Sequence, residues 1–387
     1  MRPGSQSIRS MQGGKDKMTN KAKESILVIN TGSSSIKFQV FSRHLSLKLL
    51  AQGSISDLGN RPSFTAMDEK TELPADYDHE KALHFILRWI ESQSRNWQVD
   101  IVAHRIVHGG TRFISSVLIN SEVMVYLREL SPLAPLHQPQ NLIAIDIFST
   151  LKPNLIQIAC FDTAFHAHHD PLFTEYALPQ IIRDKGIRRY GFHGLSYEWI
   201  AYSLRQNEPE LAKGRVIAAH LGNGASLCAM RNGISIDTTM GMTALDGLPM
   251  GTRCGTLDPG VVIYMIRELK LSSNDAESIL YHQSGLLGLS DWTHDVRLLQ
   301  GSNESKARFA LDYFCMRAAQ LAGMMAVALG GIDGIVFTGG IGENSNFIRD
   351  TILHHLDFLR PFEVRVIKAD EGRMMAMHTM SVLDFFG

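Results

Sequence analysis

The feature that most constrains the fold of this chain is a local pattern that occurs twice: an apolar strand, a tight Gly/Ser/Asn turn, and a second apolar strand. The first copy is SILVIN at 25–30, TGSSS at 31–35 and KFQVF at 37–41. The second is RVIAAHL at 215–221, GNG at 222–224 and ASLCAM at 225–230. Short runs of β-branched and aliphatic residues bounded by turn residues read as buried strands, and the short turns make each pair a hairpin. The likeness is too brief to establish a duplication. It points to two related α/β domains whose hairpins face a common cleft. The length of 387 residues agrees, since it exceeds one ordinary core, and a 44% hydrophobic content supplies the burial.

The rest of the pattern is α/β. A helix is expected at 78–94, with Leu83, Ile86, Leu87 and Ile90 on one face, followed by a strand at 100–103. A helix at 139–151 opens on proline, and a strand follows at 155–161. Further on come helices at 258–269 and 305–328, a strand at 334–337, a Gly-rich loop at 338–344, a helix, a strand at 363–367 and a final helix. Residues 1–24 are Lys-, Ser- and Gly-rich with no apolar centre. They read as a disordered leader and not a secretory signal, with Met18 as an alternative start. The domains are expected at 25–166 and 167–372, without a low-complexity linker, which suits a hinge.

Thirty-eight basic and 39 acidic residues leave a net charge of −1, which gives no attraction to nucleic acid or to an anionic membrane. No apolar run approaches the roughly 18 residues that span a bilayer. Cys160, Cys228, Cys254 and Cys315 are widely spaced with no CxxC pair, and read as reduced thiols of a cytoplasmic protein.

Three Gly-rich turns follow strands, at 32–35, 222–224 and 339–344. Glycine at a strand end lets backbone N–H groups approach a phosphate, the serines add hydroxyl donors, and Lys37 adds a positive charge. Any one of them alone is an ordinary hairpin. Three together, without GxxxxGK[ST] or a well-placed GxGxxG, favour a nucleotide kinase of neither P-loop nor Rossmann type. Five further segments are dense in Arg and His: HRIVHGG (104–110), APLH (134–137), FDTAFH (161–166), RRYGFHG (188–194) and MGTRCG (250–255). Arginine suits planar carboxylate and phosphate oxygens, and the adjoining glycines let such side chains stand in a cleft. His166, His168 and His169 lack a zinc-type set of partners and read as loop histidines without a metal. The Met-rich tail (Met374, Met375, Met377, Met380) reads as helix packing.

In this order, VINTGSSSIKF (28–38), HRIVHGG, APLHQP (134–139), FDTAFH, RRYGFHG, HLGNGAS (220–226), MGTRCGTLDPG (250–260) and FTGGIGEN (337–344) resemble the acetate kinase family over 26–379. The resemblance implies two RNase H-like domains of the actin-like ATPase fold around a nucleotide cleft, a terminal helix 373–387 folded back on the N-terminal domain, and a homodimer. It implies acetate and ATP as substrates, acetyl phosphate and ADP as products, and Mg²⁺ as cofactor with Mn²⁺ as a substitute. By that resemblance Asn30 and Glu371 help hold the metal. Arg105 and Arg253 grip the acyl carboxylate and the phosphoryl group, His193 donates to that group, and Asp162 stands beside the reaction centre. Ser35, Lys37, His220, Leu221, Gly222, Asn223 and Gly224 attend the ATP phosphates. Asp295, Arg297, Gly339, Gly340, Ile341, Gly342, Glu343 and Asn344 surround the adenosine. Val107, Leu136 and Phe192 form the methyl pocket, with His137 also at the acid. The chain departs from the family pattern at Tyr197 (usually His), Gln138 (Asn), Ala244 (Pro), Cys254 and Thr256 (Ser and Asp) and Gly372 (Glu). Ala244 is expected to loosen the acyl pocket. Two rival classes are a kinase for a longer acid, such as propionate or butyrate, and an ATPase-driven interaction protein of the actin kind. The retained Arg105, Asp162, His193 and Arg253 argue against the second.

Overall fold

The computed structural model describes residues 23–32, 34–44, 46–93, 97–135 and 137–386. The bulk of the expected leader, with Met18, and the pocket residue Leu136 lie outside the described residues. The first strand already begins at Lys23, inside the stretch assigned to the leader.

One sheet contains β1 (Lys23–Thr31), β2 (Ile36–Ser42), β3 (Leu49–Ser56), β4 (Ser63–Ala66), β5 (Glu69–Glu72), β6 (Trp97–Ile106), β7 (Val117–Leu118) and β8 (Ile156–Phe161), in the order β5-β4-β3-β2-β1-β6-β8-β7. The other contains β9 (Arg215–Leu221), β10 (Ala225–Arg231), β11 (Ile234–Thr238), β12 (Gly334–Thr338) and β13 (Glu363–Val366), in the order β11-β10-β9-β12-β13. In the first, β1 pairs antiparallel with β2 and parallel with β6, which is parallel to β8. In the second, β9 pairs antiparallel with β10 and parallel with β12, which is parallel to β13. The two sheets thus share one topology, an antiparallel meander continued by two parallel strands. The likeness of the two halves, brief in sequence, extends over five strands of each sheet.

Side chains alternate across each strand, so each sheet feeds two cores. Leu27 and Ile29 pack with Leu83, Ile86 and Ile90 of the helix His79–Gln93. Ile26 and Val28 pack on the other face with Met374, Met375 and Ala376 of the helix Glu371–Phe386. Ile217 and Ala219 face the helix Ser305–Leu329, which contributes Phe314, Ala318 and Met325. Val216 and Ala218 face Tyr197, Ile200 and Leu204 of the helix Gly194–Asn207. That helix also sends Leu195 into the cluster of the first sheet, and so joins the two halves.

The segment 338–344, expected as a loop, is the short helix Gly339–Asn344 directly after β12. The strand expected at 100–103 extends over Trp97–Ile106. The meander β3–β5 and the helix Gly194–Asn207 are additions to the elements expected from the sequence. No helix among the described residues is long and apolar enough to cross a membrane.

Candidate active site

Parallel strands end together, and this brings distant residues into one place. Arg105 lies opposite Cys160 in the β6–β8 ladder, so Asp162 follows just past the end of β8, where its N–H reaches Ile106 O at 3.0 Å. The guanidinium of Arg105 holds Asp162 with both prongs, Nε to Oδ1 at 3.0 Å and Nη2 to Oδ2 at 2.7 Å. Its third corner, Nη1, lies 3.2 Å from Glu371 Oε2. Glu371 arrives from the first turn of the terminal helix. The neighbouring Asp370 turns instead to the Arg373 N–H at 3.1 Å and to Arg373 Nε at 3.0 Å, which sets the register of the helix. All three groups of the triad are largely enclosed, and charge and burial compete. Burial pushes the Asp162 carboxyl up, while the Arg105 guanidinium pulls it back. Burial opposes ionisation of Glu371 too, but Arg105, His220 and Lys37 hold that carboxyl below its ordinary value. Burial works against the Arg105 cation, and the two carboxylates outweigh it, so its pKa is raised.

Arg253 is the opposite case. It sits in the loop between β11 and the helix Pro259–Arg267, where Met250 N–H bonds Arg253 O and Gly251 N–H bonds Asn223 O, both at 3.0 Å. A Cβ at Gly251 would stand 2.1 Å from Asn223 Oδ1, so glycine permits this junction. Its Nη1 donates to Ala244 O at 3.1 Å. Among the described residues it has no carboxylate partner, and burial lowers its pKa. It is a sequestered cation ready for an anion.

His193 adopts a left-handed backbone, φ 57°, immediately before the helix Gly194–Asn207. Gly194 N–H bonds Asp162 O at 2.9 Å, and a Cβ on Gly194 would lie 2.2 Å from that oxygen. Glycine therefore lets the RRYGFHG turn dock on the end of β8. The rings of His193 and His220 stack with centroids 4.3 Å apart. Burial, then His220, Arg105 and Arg253, hold His193 well below its ordinary pKa, so the ring is neutral. A Cβ placed on Gly224 would meet His193 Nε2 at 3.3 Å and Arg253 Nη1 at 3.6 Å, so these two groups converge above the GNG turn.

A cleft of about 800 Å³ is lined by Asn30, Lys37, Arg105, His193, His220 and Glu371, with Gly222, Asn223, Gly224, Gly339, Gly340 and Glu343 on its far side. A second cavity of about 670 Å³ shares Gly222, Asn223 and Gly340 with it and is lined by Asp295, Arg297, Ile341 and Asn344. Most of the residues expected at the nucleotide therefore border one or other of these adjoining cavities. Three border neither. Leu221 and Gly342 lie in the core beneath, and Ser35 shapes its own turn by accepting the Gly32 N–H at 2.8 Å. Glu343 lines the cleft, but its carboxylate takes the N–H groups of Gly339 and Ala369 at 3.0 and 2.9 Å. Asp295 caps the helix Val296–Gln300, and its bonds with Arg297 hold it at about 2.

Phe192 belongs to the large apolar cluster of the second sheet, and Val107 and Ala244 pack against that cluster. His137 stands near Arg253 and Arg105, and burial together with those cations lowers it to about 4. His166 closes the short 3-10 turn Ala164–His166 and His169 lies in the loop after it; both are buried and both bond Ser235 Oγ, at 2.8 and 2.7 Å. Sequence reasoning missed the role of Gln138 and Asn141. Gln138 accepts the His108 N–H at 3.1 Å and donates to His108 O at 3.0 Å, and Asn141 accepts the Val107 N–H at 3.0 Å and donates to Thr31 O at 2.8 Å. Two carboxamides three residues apart on one helix face, beside a catalytic-looking loop, were the available signal.

Comparison with known proteins gives a consistent answer. Residues 25–376 match the acetokinase family. The chain is 46% identical to the acetate kinase of Nitrobacter hamburgensis over 93% of its length and 96% of that protein's. It is 42% identical to the acetate kinase of Methylocella silvestris, over 93% and 98%. The crystal structure of Porphyromonas gingivalis acetate kinase superposes with a TM-score of 0.84 at 34% identity, covering 93% of this chain and 100% of that one. A propionate kinase from Francisella tularensis superposes with a TM-score of 0.85 at 32% identity, over 92% and 98%. With eight motifs in order, one shared topology in both halves and relatives matched nearly end to end, this chain belongs to the acetokinase family.

Proposed function

We propose that the chain catalyses reversible phosphoryl transfer between ATP and acetate, giving acetyl phosphate and ADP by direct in-line displacement. The observation that carries this reading is the convergence of the unpaired Arg253 and the neutral His193 over Gly224, beside the Arg105–Asp162 pair, at the wall of a Gly-lined cleft. Acetate is already an anion near neutrality, so it needs no base to become a nucleophile. A carboxylate oxygen bonds to the γ-phosphorus as the bond to the ADP bridging oxygen breaks, and no proton has to move. The obstacle is the repulsion of two anions, so positioning and charge neutralisation dominate. Arg253 meets the phosphoryl oxygens, His193 donates to them, and Asp162 holds the plane of Arg105.

Asn30 and Glu371 put hard oxygen donors on the cleft wall, which suits Mg²⁺, or Mn²⁺ as a substitute. A metal held by them would neutralise charge on the ATP phosphates. Glu371→Gln is expected to raise the Mg²⁺ concentration for half-maximal rate by roughly tenfold or more, with a smaller change in the KM for acetate. If Asp370→Asn shows that effect instead, the metal ligand is misassigned.

The acid pocket is Val107, Phe192 and Ala244. A hydroxamate assay across C1 to C4 acids tests both the reaction and its limit. Acetate is expected to be preferred, with propionate accepted less well, since forcing one CH₂ into a filled site costs about 1–3 kcal/mol. Val107→Ala is expected to improve propionate relative to acetate, chiefly through KM, and Ala244→Pro to sharpen the preference for acetate. An unchanged ratio in Val107→Ala removes that residue from the pocket.

Domains at 25–166 and 167–372, with the terminal helix completing the first, are supported by the division of the strands into two sheets and by the packing of the helix Glu371–Phe386 on the first of them. A homodimer is supported by the helix Pro259–Arg267, where Val261, Ile263, Tyr264 and Ile266 are exposed beside Leu257 and Leu269. Sedimentation velocity reads the mass directly, and a monomer at micromolar concentration refutes it. A cytoplasmic setting fits four free cysteines, of which Cys160, Cys228 and Cys315 are buried with thiols pushed up to about 12.

A further inference from the structure

Behind His193 a short hydrogen-bonded chain runs from the core to the cleft. His193 Nδ1 lies 2.8 Å from Ser226 Oγ, and Ser226 Oγ is hydrogen-bonded to the Tyr197 phenol. Ser226 and Tyr197 are both 0% exposed. Ser226 comes from β10. Tyr197 comes from the first turn of the helix Gly194–Asn207, four residues beyond His193, where the family usually has histidine.

Building on the proposed reaction, we propose that Tyr197 and Ser226 are positioning residues that fix His193 as the neutral tautomer with its hydrogen on Nε2, facing the transferring phosphoryl group. The direction follows from counting hydrogens. Ser226 has one, and among the described residues its side chain has two partners, His193 Nδ1 and the phenol. The phenol oxygen also faces the backbone N–H of His220, a group that can only donate. Were Ser226 to donate to the phenol, the Tyr197 hydrogen would be buried with no acceptor, which folded proteins rarely tolerate. In the other direction Tyr197 donates to Ser226, Ser226 donates to Nδ1, and every group is satisfied. Nδ1 is then an acceptor, so the ring hydrogen sits on Nε2.

Nε2 is also the atom that faces the open side of Gly224, in the cleft that His193 lines with Asn223 and Arg105. Burial holds the phenol well above its ordinary pKa, so it stays a donor. The chain therefore moves no proton; it selects the nitrogen that carries one. A neutral donor suits a transfer that neither takes up nor releases a proton.

Full-length enzyme labelled with ¹⁵N-histidine reads the tautomer without any variant, with His193 assigned by its loss in His193→Gln. The expected result is a bare Nδ1 and a protonated Nε2, and a protonated Nδ1 overturns the proposal. Tyr197→Phe keeps the ring and removes the donor. It is expected to mix the tautomers and lower kcat roughly tenfold, with KM for acetate and ATP within about twofold. Tyr197→His is expected to restore most of kcat. Unchanged tautomer and kcat in Tyr197→Phe also overturn it. Turnover of acetate by the wild-type enzyme tests the reaction separately, so the two readings fail distinguishably.

Discussion

Arg253→Ala is expected to lower kcat by about 10²–10³, a barrier increase of roughly 3–4 kcal/mol, while the protein stays folded. Both halves of that expectation come from the missing carboxylate. A partly buried guanidinium bonded to the Ala244 carbonyl, with no ion pair among the described residues, adds little to the stability of the empty enzyme and leaves its charge available to an anion. Deleting it strands no partner charge, so the usual cost of breaking a buried ion pair does not arise. Turnover by the hydroxamate assay and thermal unfolding measure the two effects. Near wild-type turnover removes Arg253 from the reaction centre, and a large loss of stability makes it a structural residue.

Arg105→Met is expected to do the reverse, damaging stability as well as turnover. Here the guanidinium compensates Asp162 and Glu371, whose side chains are 3% and 19% exposed. Removing one member of such a buried set costs about 3–5 kcal/mol. The loss has a pH signature. Burial already raises the Asp162 carboxyl, and without the guanidinium it rises further. A carboxyl whose folded pKa exceeds its unfolded value takes up a proton on folding, so stability is lost as pH climbs through the raised value and recovered as pH falls below it. Glu371 works in the opposite sense in the wild type. Its lowered pKa adds stability above the ordinary carboxylate range, lost as pH falls through the folded value, and the variant forfeits part of it. Denaturant unfolding of Arg105→Met is therefore expected to show greater stability at pH 5 than at pH 8, a trend reduced by adding Asp162→Asn. A pH-independent loss would mean that packing, not charge, holds this corner.

The outline of the fold was legible because strand and helix periodicities are local. The helix at 79–93 and the strands at 156–161 and 334–338 were read to within a residue or two, since burial on one face imprints its period on the chain. Where tertiary contact overrides local signal, reading failed. The helix Gly194–Asn207 starts after a left-handed His193 that no propensity announces. The short helix Gly339–Asn344 has three glycines among its six residues and is held by Glu343, which bonds the Gly339 and Ala369 N–H groups.

Residue types and order by themselves determined the family, the apolar and polar faces, and which arginines, histidines and carboxylates gather at the cleft. Only the tertiary structure decided how those charges are shared. Arg105 is neutralised by Asp162 and Glu371, and Arg253 is not, although both are arginines of motifs that also carry glycines. The physical reason is distance. Asp162 lies 57 residues from Arg105, and only the parallel register of β6 and β8, with the terminal helix folded back beside them, places the carboxylates within reach of one guanidinium and leaves the other without a counter-charge.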